Sequence, residues 1–297
     1  MLLPQFTLQK SISITGVGVH SGKAVTATLH PAEPNSGICF MQSGNSTKIP
    51  ATIQYIQETK LSSTLVKDNV TIATIEHLMA ALNARGIDNL IIELNAAEVP
   101  ILDGSAKIWL ELIDKAGIAP LMPPRRALRV ISPVKVSAGD SWIEVAPFNG
   151  LKLHTTIDFN EPFFRQHPNN ATVDFATQDF VHTLCDARTF GMLSDYDYLR
   201  AHHLALGSSL ENTVVIDGEK VVNSEGLRHA DECVKHKMLD QLGDLYLLGY
   251  NLIGEVSAYK PGHALNHQLV KTLLATPDAY LLEQLDTETS GYSWLSN

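Results

Sequence analysis

The stretch TIEHLMAALNARGIDNLIIEL, Thr74 to Leu94, decides how the first half of this chain folds. Ile75, Leu78, Met79 and Leu82 recur at i, i+3, i+4 and i+7, the spacing that lines one face of an α-helix. Thr74 reads as its N-cap and Gly86 as its stop, and NLIIEL from Asn89 follows as a buried-strand candidate. Upstream, residues 7–56 alternate polar with β-branched or apolar positions between Gly and Asn punctuation, the pattern of short antiparallel strands. Downstream, EVPILDGSA (98–106) turns through Asp103 and Gly104 into a second helix that runs to about Ala116 and is closed by Gly117.

A break comes at APLMPPRR, residues 119–126, where three prolines and two arginines mark a boundary. Beyond it the theme repeats: strand-like segments over 128–158 and 212–223, a helix from about Ala230 to Leu248, and a strand at NLIGEVSAY. His77, Met79 and the later N-L-I-I-E are echoed by His236, Met238 and the later N-L-I-G-E, which suggests an internal duplication. The expected class is α+β, with two similar units over 1–122 and 127–275, a tail over 276–297, and a site where the units meet.

Composition narrows the partners. With 22 basic against 32 acidic residues the chain carries a formal charge of −10, and it lacks the clustered Lys/Arg excess of a phosphate-backbone reader, so nucleic acid is not an expected partner. Cys39, Cys185 and Cys233 are few, odd in number and far apart, which argues for neither a disulfide framework nor a zinc ribbon. The start MLLPQFTLQKS lacks the basic and long apolar regions of a signal peptide, and no apolar run approaches the ~20 residues that span a bilayer. The expectation is a soluble cytoplasmic protein with no transmembrane segment, and a monomer.

Twelve histidines invite a search for metal-ligand spacing. In VKHKMLDQLGDL (234–245), Val234, Met238 and Leu242 share one helical face, and His236, Lys237, Asp240 and Asp244 share the opposite one. His236 and Asp240 are neighbours at i, i+4, so they could hold one ion with little ordering cost; a solvated polar face explains the same spacing. His77 lies about 200° round the wheel from Ile75, away from the apolar stripe. Together with His236 and Asp240 it would complete a three-ligand set with an open position, the logic of a catalytic zinc site. A metal there would activate water and polarise a carbonyl, which points to hydrolysis. Glu76, beside a ligand, could take the proton from that water, although a Glu in a first helical turn also suits the macrodipole.

Four further features are weaker. His263 sits in a Gly-containing loop after a strand, where Asp244 could charge it and raise its pKa; a surface loop histidine is the default. Thr189 in ARTFG (187–191) suits oxyanion donation and equally an ordinary turn. TGVGVHSG (15–22) opens like a phosphate loop, but its third glycine is misplaced and no βαβ context follows; a strand with a tight turn fits better, with His20 free to face a ligand. The DGS at 103–105 is a turn and helix cap, not a nucleophile elbow, which disfavours a serine triad.

Taken together, TGVGVHSG, TIEHLMAAL, GIDN, EVPILDGSA, ARTFG, LRHADECVKHKMLDQLGDL and YKPGHALN resemble, in order and spacing, the zinc-dependent UDP-3-O-acyl-N-acetylglucosamine deacetylase family of lipid A biosynthesis. The resemblance spans nearly the whole chain. It implies two two-layer α/β sandwich domains packed through their helices, with one catalytic Zn2+ at the interface. It carries the zinc ligands onto His77, His236 and Asp240, the general base onto Glu76, and a cationic histidine oriented by an aspartate onto His263 and Asp244. Thr189 falls on the oxyanion-binding hydroxyl and Lys237 on a contact to the sugar nucleotide. Residues from Phe190 to Val215 resemble the insert that forms the acyl-chain passage, with Met192, Tyr196, Ala205, Ser209 and Val215 as candidate walls and Phe159 as a candidate nucleotide contact.

Departures from the family pattern are His229, Ala230, Cys233 and Pro261, none of them a ligand, and the polar loop Leu61, Ser62 and Ser63, where some relatives have cysteine and where substrate contact is expected. The implied reaction is hydrolysis of the 2-acetamido group of an acylated UDP-amino sugar, with either His263 or protonated Glu76 as the acid. A zinc amidase acting on another acylated amine, and a catalytically silent sugar-nucleotide or lipid binding protein, are the alternatives.

Overall fold

A computed structural model describes residues 1–57 and 61–286. The first sheet has five strands in the spatial order Ile12–Val17, Ala24–Pro31, Leu90–Leu94, Ile38–Gln42 and Ile49–Pro50. Along Ala24–Pro31 the buried residues are Val25, Ala27 and Leu29, the period-2 pattern of a sheet with one face on the core. Not all pairs are antiparallel as the alternation suggests: Ile38–Gln42 runs parallel to Leu90–Leu94. That neighbour is reached through a long crossover, which local patterning cannot signal.

The helix read at Thr74–Arg85 is α1, Glu76–Ala84. Its end is a Schellman closure, with Gly86 at φ +60°, the Gly86 N–H on Asn83 O and the Ile87 N–H on Leu82 O. Its start departs from expectation. Thr74 adopts φ +60°, a conformation rare for a β-branched residue, and its hydroxyl donates to Glu98 Oε1 at 3.2 Å and does not cap the helix. The cap position falls instead on Ile75, so Thr74 stands one residue outside the helix. The second helix, α2 (Lys107–Ala116), buries Trp109, Leu110 and Ile113 and closes at Gly117.

The proline-rich stretch also holds more structure than a boundary implies. Ile118–Pro124 is a strand paired antiparallel with Pro4–Leu8, and Arg126–Val130 passes directly into a seven-stranded sheet. At the heart of that sheet is Asn251–Tyr259, which runs parallel to Arg126–Val130 and Leu151–Thr156 and antiparallel to Ser141–Ala146. Residues 280–284, read as part of the tail, form a strand against Arg126–Val130; residues 287–297 lie outside the described residues.

Between the strands of the second half come short helices α3 (Phe180–Thr183) and α4 (Tyr196–Ala201), then α5 (Glu232–Leu245) and α6 (His263–Leu274). The helix expected over 230–248 is α5 followed by a 3-10 turn, Tyr246–Leu248. The strand signal at 212–223 belongs to a separate three-stranded sheet with Phe190–Met192, and α4 lies between those strands in sequence.

A single cluster of buried side chains runs from Leu29 and Ile92 through Leu78, Leu82, Met238 and Leu242 to Ile143 and Leu153. The contact between α1 and α5 is unusually close. A Cβ on Gly243 would lie 2.1 Å from Glu76 O, so only glycine allows this approach. Asn83 Nδ2 donates to Leu242 O at 3.1 Å across the same contact. The fold is mixed α+β, and α1 and α5 are where its two halves meet.

Candidate metal centre and active site

All nine residues of α1 are buried, including Glu76 and His77. The wheel correctly sets His77 off the apolar stripe, but the side it faces is covered by α5 instead of water. The polar face of α5 is likewise no solvated surface, since His236, Asp240 and Asp244 are buried. Polar side chains pressed together at this depth must find partners or a ligand.

His77 Nε2 and His236 Nε2 lie 3.4 and 3.5 Å from Asp240 Oδ1, and the ligand atoms of the three residues all fall within 4.8 Å of one another. The imidazole rings meet edge to face, with centroids 4.9 Å apart. His236 Nδ1 donates to Ala187 O at 3.0 Å, which fixes the tautomer and leaves Nε2 a lone pair aimed at the cluster. Burial pushes the His236 imidazole down to about 3, so it is neutral as a ligand must be. Burial opposes ionisation of Asp240, but the Lys237 ammonium and His77 beside it outweigh burial and hold the carboxyl well below the usual range.

Lys237 Nζ donates to Asp240 Oδ2 at 2.7 Å, whereas Oδ1 is buried with no hydrogen-bond partner among the described residues. An ionised, buried and unpartnered oxygen facing two imidazole nitrogens fits a divalent cation, and the donor set of two nitrogens and one carboxylate oxygen suits zinc.

Next to this trio stands a second cluster with its own logic. Glu76 Oε2 accepts from Ser63 N at 3.0 Å, and Oε1 stands 3.8 Å from His263 Nε2. Burial raises the Glu76 pKa, while the charges of His263 and His77 pull against that rise. Asp244 accepts from His263 Nδ1 and Asn266 Nδ2, each at 2.8 Å, and from the Ser63 hydroxyl. Burial alone would lower the His263 pKa, but Asp244 and Glu76 raise it to about 9. His263 is the first residue of α6 rather than a loop residue, and Gly262 occupies the cap position.

A cavity of about 220 Å³ opens onto Glu76, His77, His236, Asp240 and His263. Thr189, Phe190, Lys237, Leu61 and Ala205 also line it, together with His20, Leu199, Ser208 and Thr213, which sequence reasoning did not name as walls. Met192 and Val215 are half-buried in the small sheet beside it; Tyr196 and Ser209 are exposed, and Ser62 is buried next to Leu61. Phe159 stands over Phe164 and Phe190, with centroids at 4.8 and 5.5 Å, and lines a separate cavity of about 220 Å³ with Asp158, Asn160 and Arg165. The Lys237 ammonium lies 5.8 Å from the Phe190 ring centroid.

Several positioning contacts come from motifs that sequence reasoning set aside. Gly104 of DGS has φ +83°, and its carbonyl accepts from Thr189 N at 2.8 Å, tying the first half to the ARTFG loop. Glu98 accepts from His20 N, Ser21 N and Thr74 Oγ1, which fixes TGVGVHSG at the cavity wall. Arg188 and Glu232, both buried, pair at 2.8 Å and hold that loop to the start of α5, one turn before His236. A larger cavity of about 290 Å³, lined by Gln5, Asn89, Arg126 and Tyr246, holds none of the residues in the metal-ligating trio.

Residues 5–275 match the family described as UDP-3-O-acyl N-acetylglycosamine deacetylase, LpxC. A UDP-3-O-acyl-N-acetylglucosamine deacetylase from Coxiella burnetii (strain RSA 493 / Nine Mile phase I) is 48% identical over 281 residues, which cover 94% of this chain and 93% of that protein. One from Shewanella baltica (strain OS155) is 47% identical over 287 residues, covering 96% and 94%. No helix among the described residues is long and apolar enough to cross a membrane. This chain therefore belongs to the UDP-3-O-acyl N-acetylglycosamine deacetylase family.

Proposed function

We propose that this protein hydrolyses the N-acetyl group of UDP-3-O-acyl-N-acetylglucosamine, releasing acetate and UDP-3-O-acyl-glucosamine, in the cytoplasm as a step of lipid A biosynthesis. The observation that carries this reading is the unpartnered Asp240 Oδ1 facing two imidazole nitrogens, with the Glu76 carboxylate beside them. Its relatives' names supply the substrate.

His77, His236 and Asp240 hold one zinc ion in this reading. Zinc so held lowers the pKa of water and polarises a carbonyl oxygen. Glu76, with Oε2 pinned by Ser63 and Oε1 turned to the cavity, takes a proton from the attacking water. Burial strengthens it as a base by raising its pKa. The Thr189 hydroxyl donates to the oxygen that gains charge as water adds to the amide carbon. His263, held protonated by Asp244, gives its proton to the departing amine nitrogen as the C–N bond breaks. Lys237 and Phe190 orient the sugar nucleotide, and Phe159 contacts its nucleotide portion. The insert walls at Met192, Tyr196, Ala205, Ser209 and Val215 receive the acyl chain, and the loop at Leu61 and Ser62 contacts the substrate. The two halves, 1–122 and 127–275, act as domains that each contribute part of the site, and a monomer suffices.

Zinc content measured together with acetate release from the acylated UDP-sugar tests this reading. One zinc per chain with stoichiometric acetate is expected. Zinc with release only from a different acylated amine would make it another amidase, and tight substrate binding without turnover would make it a binding protein.

A further inference from the structure

Ser63 is fully buried, far in sequence from both α5 and α6, and it touches both proton-handling groups of the site. Its N–H donates to Glu76 Oε2 at 3.0 Å, and its carbonyl accepts from Ile75 N at 3.3 Å, at the entrance to α1. Its hydroxyl donates to Asp244 Oδ1, on the carboxylate whose other oxygen orients His263. The hydroxyl's one proton is spent there, so His267 Nε2, 2.8 Å from the same oxygen, must be the donor in that contact. Ser63 thus stands among His267, Asp244 and His263, with His263 Nδ1 3.4 Å from its hydroxyl oxygen and His267 Nε2 3.4 Å from Asp244 Oδ1. His267 is buried on α6, one turn beyond His263.

We infer that Ser63 is a positioning residue for the reaction, one that sets the Glu76 carboxylate through its backbone and the Asp244–His263 pair through its hydroxyl, with His267 holding that hydroxyl in place. The assignment rests on the deacetylase reaction proposed above. The backbone bond survives any side-chain change, whereas loss of the hydroxyl leaves Asp244 one donor short and leaves His267 Nε2 only the more distant Asp244 Oδ1, 3.4 Å away. The Asp244–His263 pair then loses its fixed orientation while the metal-ligating trio is untouched. Such a defect appears in kcat far more than in KM.

The experiment compares zinc-loaded wild type, Ser63→Ala, Ser63→Thr and His267→Leu by acetate release, zinc content, thermal melting and low-field proton NMR of the imidazole N–H groups. Ser63→Ala is expected to lower kcat about tenfold with KM within about twofold, to keep one zinc, and to shift the His263 Nδ1 proton signal. Ser63→Thr restores the hydroxyl and most of the lost kcat. His267→Leu gives a smaller loss, about threefold. A Ser63→Ala protein with wild-type kcat and an unmoved signal overturns the inference, as does a folded, zinc-loaded Ser63→Thr as slow as Ser63→Ala. If Ser63→Ala shows no cooperative melt, His267→Leu decides, and wild-type kcat in that variant overturns it. Wild type that releases no acetate overturns the deacetylase reading instead; the NMR comparison needs no turnover and then decides the role of Ser63 by itself.

Discussion

The metal-ligating trio and the network around Asp244 stand one turn of α5 apart, and they use their hydrogen-bonding capacity in opposite ways. Asp244 receives donors from Ser63, His263 and Asn266, so its charge is met by protons the protein itself supplies. Asp240 has Lys237 on one oxygen and, among the described residues, no hydrogen-bond donor on the other, which the neutral imidazole of His236 faces with a lone pair. Leaving a buried acceptor unmet costs about 1–3 kcal/mol, more when it is charged, and a fold that keeps such a group is built around something it binds. One carboxylate on α5 is thus finished by the fold, and the other, in the reading proposed here, is left for a cation.

The sharpest way to break this contrast is His236→Ala. It should strip the stoichiometric zinc and reduce acetate release to background while the Asp244 network stays folded, as elemental analysis and an unchanged His263 NMR signal would show. Glu76→Ala should do the reverse, keeping one zinc per chain and losing kcat by about 10²–10⁴-fold. Unchanged turnover with intact metal would remove Glu76 from the base role.

Gly243→Ala tests the spacing on which the trio depends. The new Cβ would meet Glu76 O at 2.1 Å, so α1 and α5 must part. We expect about 1–3 kcal/mol of destabilisation in chemical denaturation, with weakened zinc retention because His77 is carried away from His236 and Asp240. The smallest effect concerns pH. The folded pKa of His263 is raised to about 9 from the ordinary imidazole value of 6.5, so its contribution to stability is complete below about 6.5 and is lost as pH rises through about 9. The alkaline limb of kcat should follow the same loss of the proton. Asp244→Asn should move both towards neutral pH, and a limb that stays near 9 would detach Asp244 from His263.

What could be read without coordinates divides along similar lines. His236 and Asp240 were legible because both sit on one helix, where i, i+4 spacing is itself geometry. Glu76 and His77 were legible as off-stripe residues of α1, but not as buried ones, because the cover comes from α5 in the other half of the chain. The sequence marks Ser63 only as part of a loop expected to touch substrate and His267 not at all: their contacts with Asp244 join residues far along the chain, and serine beside serine in a polar loop looks like any turn. Strand positions followed from alternation, whereas the parallel pairs around Leu90–Leu94 and Asn251–Tyr259 depend on crossovers that local patterning does not report. Thr74 misled because the helix takes Ile75 as its cap, leaving Thr74 one residue upstream with its hydroxyl donating to the distant Glu98.

The most direct test is X-ray absorption at the zinc edge on the purified protein, with anomalous diffraction from its crystals to locate the ion. The account predicts one zinc bound by two imidazole nitrogens and a carboxylate oxygen at about 2.0–2.2 Å, with the anomalous peak between His77, His236 and Asp240. A stoichiometric ion held by other residues, or a correctly folded protein that takes up no divalent metal at this trio, would contradict it.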